Sequence, residues 1–139
     1  MHKLAPLIAC VMLVCANVSA ADPVRHEKVV LTEHAPMKKL NGKIKGRGTV
    51  EYGLAVPAGA ALELHLKSAN RSSYFNVYAE GTEEAMFVGS RDGDHFHITA
   101  THAGAYKVQV YLMRNGARRN ETASYVLEAV IGAGIAGKP

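Results

Sequence analysis

Apolar side chains recur at every second position along most of the chain between residues 41 and 131. This spacing places alternate side chains on opposite faces of an extended strand. We find no run of ten or more residues with the helical spacing i, i+3, i+4, i+7. The pattern predicts one all-β domain, an antiparallel sandwich or barrel-like fold of about eight short strands. The predicted strand segments are 28–32, 50–56, 62–66, 73–79, 86–88, 96–98, 106–112 and 125–131.

The first 20 residues predict a cleaved secretory signal peptide. A basic start is followed by the mostly apolar segment 4–18, and Val18-Ser19-Ala20 has the small-x-small pattern of a cleavage site. The apolar segment is shorter than the roughly 20 residues that a membrane span needs. We therefore expect a signal peptide at 1–20 and a single exported domain at 21–139.

Both cysteines, Cys10 and Cys15, lie inside this predicted signal. The exported domain would then contain no thiol, which excludes disulfides, thiolate metal sites and cysteine nucleophiles. A small secreted domain without disulfides fits a bacterial periplasm better than a eukaryotic extracellular space. Residues 7–10 loosely fit a lipoprotein cleavage box at Cys10, but too few apolar residues precede it for a normal signal, so we expect no stable membrane anchor.

The two ends of the predicted domain carry weaker patterns. Residues 21–40 are polar and mixed, and they could form a first strand or trail as an arm. Residues 132–139 are rich in glycine and alanine, which predicts a frayed tail.

Two histidines are the weak candidates for a metal site. His95 and His97 are two residues apart in a predicted strand, so they share a face and could jointly hold zinc or copper. His102 is the nearest third ligand, but the sequence names no convincing complete set. Outward-facing strand histidines explain the same pattern, and we expect no cofactor.

No catalytic motif stands out in the sequence. Ser90, Asp92 and His95 lie close together, but they lack the strand–elbow–helix context of a hydrolase. Asp92-Gly93, between two strand segments, instead predicts a hairpin turn. Phosphate-binding loops, dinucleotide fingerprints and paired-carboxylate motifs are also missing from the sequence. We therefore expect a binding protein and not an enzyme.

Three arginines cluster directly after the segment with the strongest alternation, in Arg114-Asn115-Gly116-Ala117-Arg118-Arg119-Asn120. Arginine has a planar fork of donors that pairs with carboxylates through two hydrogen bonds. A short loop between two core strands would lose little entropy on entering an acidic cleft. A solvated basic turn is the alternative. The net charge of the chain is +4, and one of these positive charges is Lys3 in the predicted signal. This modest charge does not favour a nucleic-acid partner.

The residues at three places resemble the periplasmic inhibitors of g-type (goose-type) lysozyme. Those proteins show a G-x-I-K-G motif, a Ser-Gly-x-Tyr turn into a long strand, and an R-N-x-A-R-[KR]-N loop. The matching residues here are 42–46, 103–106 and 114–120, and the resemblance covers roughly residues 40–131.

The resemblance implies an eight-stranded sandwich whose loops enter the substrate cleft of a g-type lysozyme. One departure is Ala103, which stands where the family pattern has serine. If that hydroxyl bonds to the enzyme, its loss would cost about 1–3 kcal/mol. Tyr106 also shares the inward register of Val108 and Val110, so packing is its alternative role. The partner-binding residues that the resemblance implies are Gly104, Tyr106, Arg114, Asn115, Arg118, Arg119 and Asn120.

Two questions remain open on the sequence alone. The first is whether the protein is instead a generic exported sandwich that binds peptidoglycan, carbohydrate or another envelope protein. The second is whether two copies pair as a homodimer through an exposed edge strand.

Overall fold

Strands form where apolar residues alternate, and the computed structural model describes them in residues 23–99, 101–102 and 104–132. Two one-turn helices, α1 (Gly89–Asp92) and α2 (Arg114–Arg118), interrupt the strands. The predicted signal peptide, Cys10, Ala103 and the tail from 133 onward lie outside the described residues. The strands are β1 (Val24–Val30), β2 (Met37–Lys45), β3 (Thr49–Ala55), β4 (Ala61–Ser68), β5 (Ser73–Ala79), β6 (Phe87–Val88), β7 (His95–Ile98), β8 (Ala105–Leu112) and β9 (Thr122–Gly132).

The strands form two facing sheets, which confirms the predicted all-β sandwich. The five-stranded sheet has the order β1-β3-β8-β5-β6, and the four-stranded sheet has the order β2-β9-β4-β7. Neighbouring strands are antiparallel except β1, which pairs parallel with β3. Every second residue of β8 and β9 is buried between the sheets. These two strands therefore supply much of the core.

The N-terminal strands differ from the predicted segments. β1 begins at Val24 and ends at Val30, whereas the sequence predicted residues 28–32. β2 was not predicted at all, because Ile44 is the only fully buried residue among its nine. β2 lies at the edge of its sheet and has one neighbour, so most of its side chains face solvent. An edge strand of this kind leaves little period-two signal.

The prediction of a hairpin turn at Asp92-Gly93 is wrong. β6 pairs with β5 in one sheet and β7 pairs with β4 in the other, so the chain changes sheets between them. Asp92 ends α1, and its carboxylate accepts a 2.9 Å hydrogen bond from the Val88 amide. Gly93 then takes φ of 109°, a conformation that favours glycine. The dipeptide therefore ends a helical turn that links the two sheets.

A pair of tyrosine hydroxyls joins the sheets inside the core. Tyr52 on β3 and Tyr125 on β9 are 0% and 3% exposed, and their hydroxyl oxygens are 2.6 Å apart. Gly42 lies opposite Tyr125 in the β2–β9 ladder, and any side chain there would overlap the Tyr125 ring. Burial, together with the Tyr52 hydroxyl, raises the pKa of Tyr125 well above its usual range. Each of the two buried hydroxyl groups therefore has the other as its hydrogen-bond partner.

We expect Tyr52→Phe and Tyr125→Phe each to lower the free energy of unfolding by about 1–3 kcal/mol, because each leaves one buried hydroxyl unpaired. The double variant should cost less than the sum of the two, since it removes both polar groups. Urea unfolding followed by circular dichroism measures all three values. Additive losses would contradict a direct coupling between the two hydroxyls.

Candidate functional site

The structure separates the sequence-predicted site residues into two groups at opposite ends of β8. Gly104 and Tyr106 lie where β8 begins, and α2 follows where β8 ends. Eight residues of antiparallel strand span about 25 Å. The structure therefore brings together the five predicted site residues of the arginine cluster but places the 104–106 turn at the far end of the sandwich.

The arginine cluster folds into a helical turn. The Ala117 amide donates to the Met113 carbonyl at 2.9 Å, and the Asn120 amide donates to the Ala117 carbonyl at 3.0 Å. Asn120 ends the turn with φ of 53°, a left-handed conformation that asparagine tolerates better than most residues. Arg114 and Arg118 are one turn apart, which places them on the same side of α2, and both are exposed.

The three arginines are not equivalent. The Arg119 guanidinium donates to the Glu121 carboxylate at 2.8 Å, so much of its charge is already compensated. Hydrogen bonds from Arg119 and Asn70 hold the pKa of Glu121 below its usual range. Arg114 and Arg118 form no ion pair with any carboxylate of the described residues. Their guanidinium groups are therefore the ones available to a partner.

Two neighbouring loops hold α2 in place. The Met113 amide donates to the Ser72 carbonyl at 2.7 Å, and the Gly46 amide donates to the Glu121 carbonyl at 2.9 Å. Gly116 is buried against Ser72, and a Cβ at Gly116 would lie 2.8 Å from the Ser72 Cβ. We call the surface formed by residues 46–48, 69–72 and 113–121 the arginine end.

Asn70 connects the loops of the arginine end, and the sequence analysis missed it. Its side-chain oxygen accepts a 2.8 Å hydrogen bond from the Ser72 amide, which forms an Asx turn. Its side-chain nitrogen donates to the Glu121 carboxylate at 3.1 Å and to the Thr122 carbonyl at 3.4 Å. The Asn-Arg-Ser-Ser sequence after β4 could have suggested the turn, but not the contact with Glu121.

The other end of the sandwich presents a glycine turn and not the Tyr106 ring. Gly104 has φ of 68°, and its carbonyl accepts a 2.8 Å hydrogen bond from the Val56 amide. Tyr106 is only 4% exposed, and its hydroxyl accepts a 3.2 Å bond from the His102 amide. A shallow groove of about 620 Å³ opens beside this turn, floored partly by Ala55 and Ala105. A partner at this end would therefore meet backbone together with small and charged side chains.

The two candidate metal ligands are outward-facing strand residues. The His95 ring stacks on His65, with ring centroids 5.5 Å apart, and His97 Nδ1 lies 3.2 Å from Glu63 Oε1. The described residues contain no group of three or more His, Cys, Asp or Glu side chains placed to hold a metal ion.

Across the same part of the chain, no helix has the length and apolar character to cross a membrane.

The fold and the site define a class of protein: a two-sheet β-sandwich that presents a preformed polar turn at one end. The crystal structure of Aeromonas hydrophila PliG, a periplasmic lysozyme inhibitor of g-type lysozyme, matches this structure with a TM-score of 0.70. The two sequences are 30% identical over 80% of this chain and 99% of that chain. The chain belongs to the family of periplasmic g-type lysozyme inhibitors, as the sequence resemblance predicted.

More distant structures share the fold alone. A PliG mutant from Escherichia coli, also a periplasmic inhibitor of g-type lysozyme, matches with a TM-score of 0.56 and 20% identity over 77% of this chain and 97% of that one. The pre-peptidase C-terminal domain of a Bacillus anthracis collagenase matches with a TM-score of 0.55 and 16% identity, over 79% of this chain and 99% of that one. No family model matches the sequence, and no curated protein does either.

Replacing Asn70 by aspartate tests whether this residue fixes the arginine end. Asn70→Asp keeps the acceptor for the Ser72 amide but sets a second carboxylate against Glu121. We expect lower stability than wild type at pH 7, and a deficit that shrinks as pH falls through about 4, because protonation of one carboxyl relieves the repulsion.

The direction of this pH dependence follows from the contact between Asn70 and Glu121 in the wild type. The lowered pKa of Glu121 means that its stabilising contribution is present at neutral pH and is lost as pH falls. Urea midpoints at pH 7 and pH 4 for both proteins provide the measurement. A deficit that is equal at the two pH values would show that Asn70 does not act on Glu121.

Proposed function

We propose that this protein inhibits a g-type lysozyme by inserting α2, at the arginine end, into the substrate cleft of the enzyme. Membership of the inhibitor family supports the partner, and the observation that carries the proposal is the exposed pair Arg114 and Arg118 on a braced helical turn. The protein acts as a binding partner, and no covalent step is needed.

The chemistry of the target favours arginine. A lysozyme cleft holds a catalytic carboxyl group among polar groups arranged for a sugar chain. A guanidinium group can pair with a carboxylate through two parallel hydrogen bonds. Arg114 and Arg118 would supply this charge while the body of α2 blocks the path of the glycan. Inhibition then combines steric exclusion with charge-assisted hydrogen bonding.

The preformed geometry of α2 contributes to affinity. Hydrogen bonds from Met113 to Ser72 and from Gly46 to Glu121 already fix the turn in the free protein. Binding therefore avoids most of the entropy cost of ordering a flexible loop. Asn115 and Asn120, exposed on the same turn, complete the polar surface that would face the cleft.

We assign the contact to the arginine end and not to the 104–106 turn. One cleft does not receive both ends of β8 at once, since about 25 Å of strand separates them. The buried ring of Tyr106 supports the same choice, because it lies in the core. In this proposal Gly104 and Tyr106 shape the opposite end of the sandwich.

The proposal places the mature protein in the periplasm. The sequence pattern of residues 1–20 supports export through a cleavable signal, and the family members of known structure are periplasmic. Such a location would let the inhibitor meet lysozyme before the enzyme reaches peptidoglycan.

The double variant Arg114→Ala/Arg118→Ala should lose inhibition of g-type lysozyme by at least about 100-fold. Two buried charge-assisted contacts at the centre of an interface are worth several kcal/mol, and 1.4 kcal/mol corresponds to a factor of 10. Inhibition constants from a lytic assay on peptidoglycan provide the measurement.

Two further variants separate the roles of charge and geometry. Arg114→Lys/Arg118→Lys keeps both charges but removes the fork, so it should recover only part of the potency. Lys28→Ala removes one exposed charge from β1 and should inhibit like wild type. Full potency in the double alanine variant, with unchanged circular dichroism, would refute the assignment of the cleft contact to α2.

A further inference from the structure

The loop between β4 and β5 packs against α2 and carries an arginine of its own. Arg71 directly precedes Ser72, whose carbonyl accepts a 2.7 Å hydrogen bond from the Met113 amide. Met113 is the residue just before α2, so Arg71 lies close to the start of this helix. Arg71 is exposed, and it forms no ion pair with the carboxylates of the described residues. The sequence analysis did not single it out, because it is remote in sequence from the arginine cluster.

The loop that carries Arg71 is itself well ordered by hydrogen bonds. The Ser73 hydroxyl donates to the Asn70 carbonyl at 2.6 Å, and the Asn70 amide donates to the Ser68 hydroxyl at 3.2 Å. Asn70 also donates to Glu121, beyond α2. The 69–72 loop and α2 are thus two parts of one bonded unit, and a partner that covers α2 will come close to Arg71.

A pocket of about 350 Å³ opens beside Arg71. Leu66 and Tyr74 are among its lining residues, and Gly93 and Asp94 border it from the segment between α1 and β7. Tyr74 is half-buried, with its ring centroid 6.4 Å from that of Tyr111. Tyrosine and arginine are among the residue types that most often dominate binding energy in protein interfaces.

We propose that Arg71 is a second anchor for the lysozyme partner, pairing with a carboxylate on the rim of the cleft while α2 occupies the cleft itself. This inference rests on the proposed function. It extends the contact surface from α2 across the 69–72 loop to the pocket at Tyr74. The partner that fits this surface has an acidic group beside its cleft, and its match to Arg71 sets which g-type lysozymes are inhibited most strongly.

Arg47 provides a charge-matched comparison at the same end of the molecule. It is exposed on the 46–48 turn, where Gly46 bonds to Glu121 after α2. The turn that carries Arg47 is therefore attached after the C-terminal end of α2, whereas the loop that carries Arg71 is attached on both sides of α2, at Met113 and at Glu121. Removing either arginine lowers the net charge by the same amount, so a difference between them reports on position.

The experiment measures the inhibition constant and the dissociation constant of wild type, Arg71→Ala, Arg71→Glu and Arg47→Ala against one g-type lysozyme. We expect a loss of about tenfold for Arg71→Ala, a larger loss for Arg71→Glu and a smaller loss for Arg47→Ala. Each variant should keep the wild-type urea midpoint, because both arginines are exposed on loops.

The outcomes distinguish this inference from the function on which it rests. If wild type inhibits and Arg71→Ala matches wild type, the second anchor is overturned while the inhibitor function stands. Equal losses for Arg71→Ala and Arg47→Ala would also overturn it, since they would indicate only a general effect of charge. If wild type inhibits no g-type lysozyme, both proposals fail.

Discussion

The packing of alternate side chains between the two sheets is the constraint on which the rest of the structure depends. Both cysteines lie in the predicted signal, so the exported domain would have to hold its shape without a disulfide. β8 and β9 bury every second residue from opposite sheets, and the Tyr52–Tyr125 hydrogen bond joins the sheets within that core. Because β8 is fixed along its whole length, the position of α2 at its end is fixed as well.

The arginine end gains its rigidity from a few polar contacts outside the core. Ser72, Gly46 and Asn70 connect α2 to two other loops, and Glu121 receives bonds from both Arg119 and Asn70. One arginine of the cluster therefore serves the internal structure, while Arg114 and Arg118 remain exposed. This division explains how a cluster of like charges can sit on a stable turn, since part of its charge is compensated locally.

The sequence predicted central strands well and edge features poorly. β5 and β8 matched their predicted segments closely because a central strand buries strictly alternate residues, whereas β2 escaped notice because only Ile44 is fully buried. The prediction of a hairpin turn at Asp92-Gly93 was wrong because the pairing of β6 and β7 with distant strands decides which sheet each one joins. The contact between Asn70 and Glu121 could not be predicted for the same reason, since the two residues are 51 positions apart in the sequence. The sequence analysis placed Gly104 and Tyr106 in one partner-binding set with the arginine cluster, and the length of β8 puts them at the opposite end of the sandwich.

Hydrogen exchange of the backbone amides, compared between the free protein and its complex with a g-type lysozyme, tests the central claim most directly. The account predicts added protection in residues 113–121 and 69–72, with unchanged exchange at residues 101–106 on the opposite end of β8. Protection confined to residues 101–106, or to the outer face of either sheet, would contradict the assignment of the lysozyme contact to the arginine end.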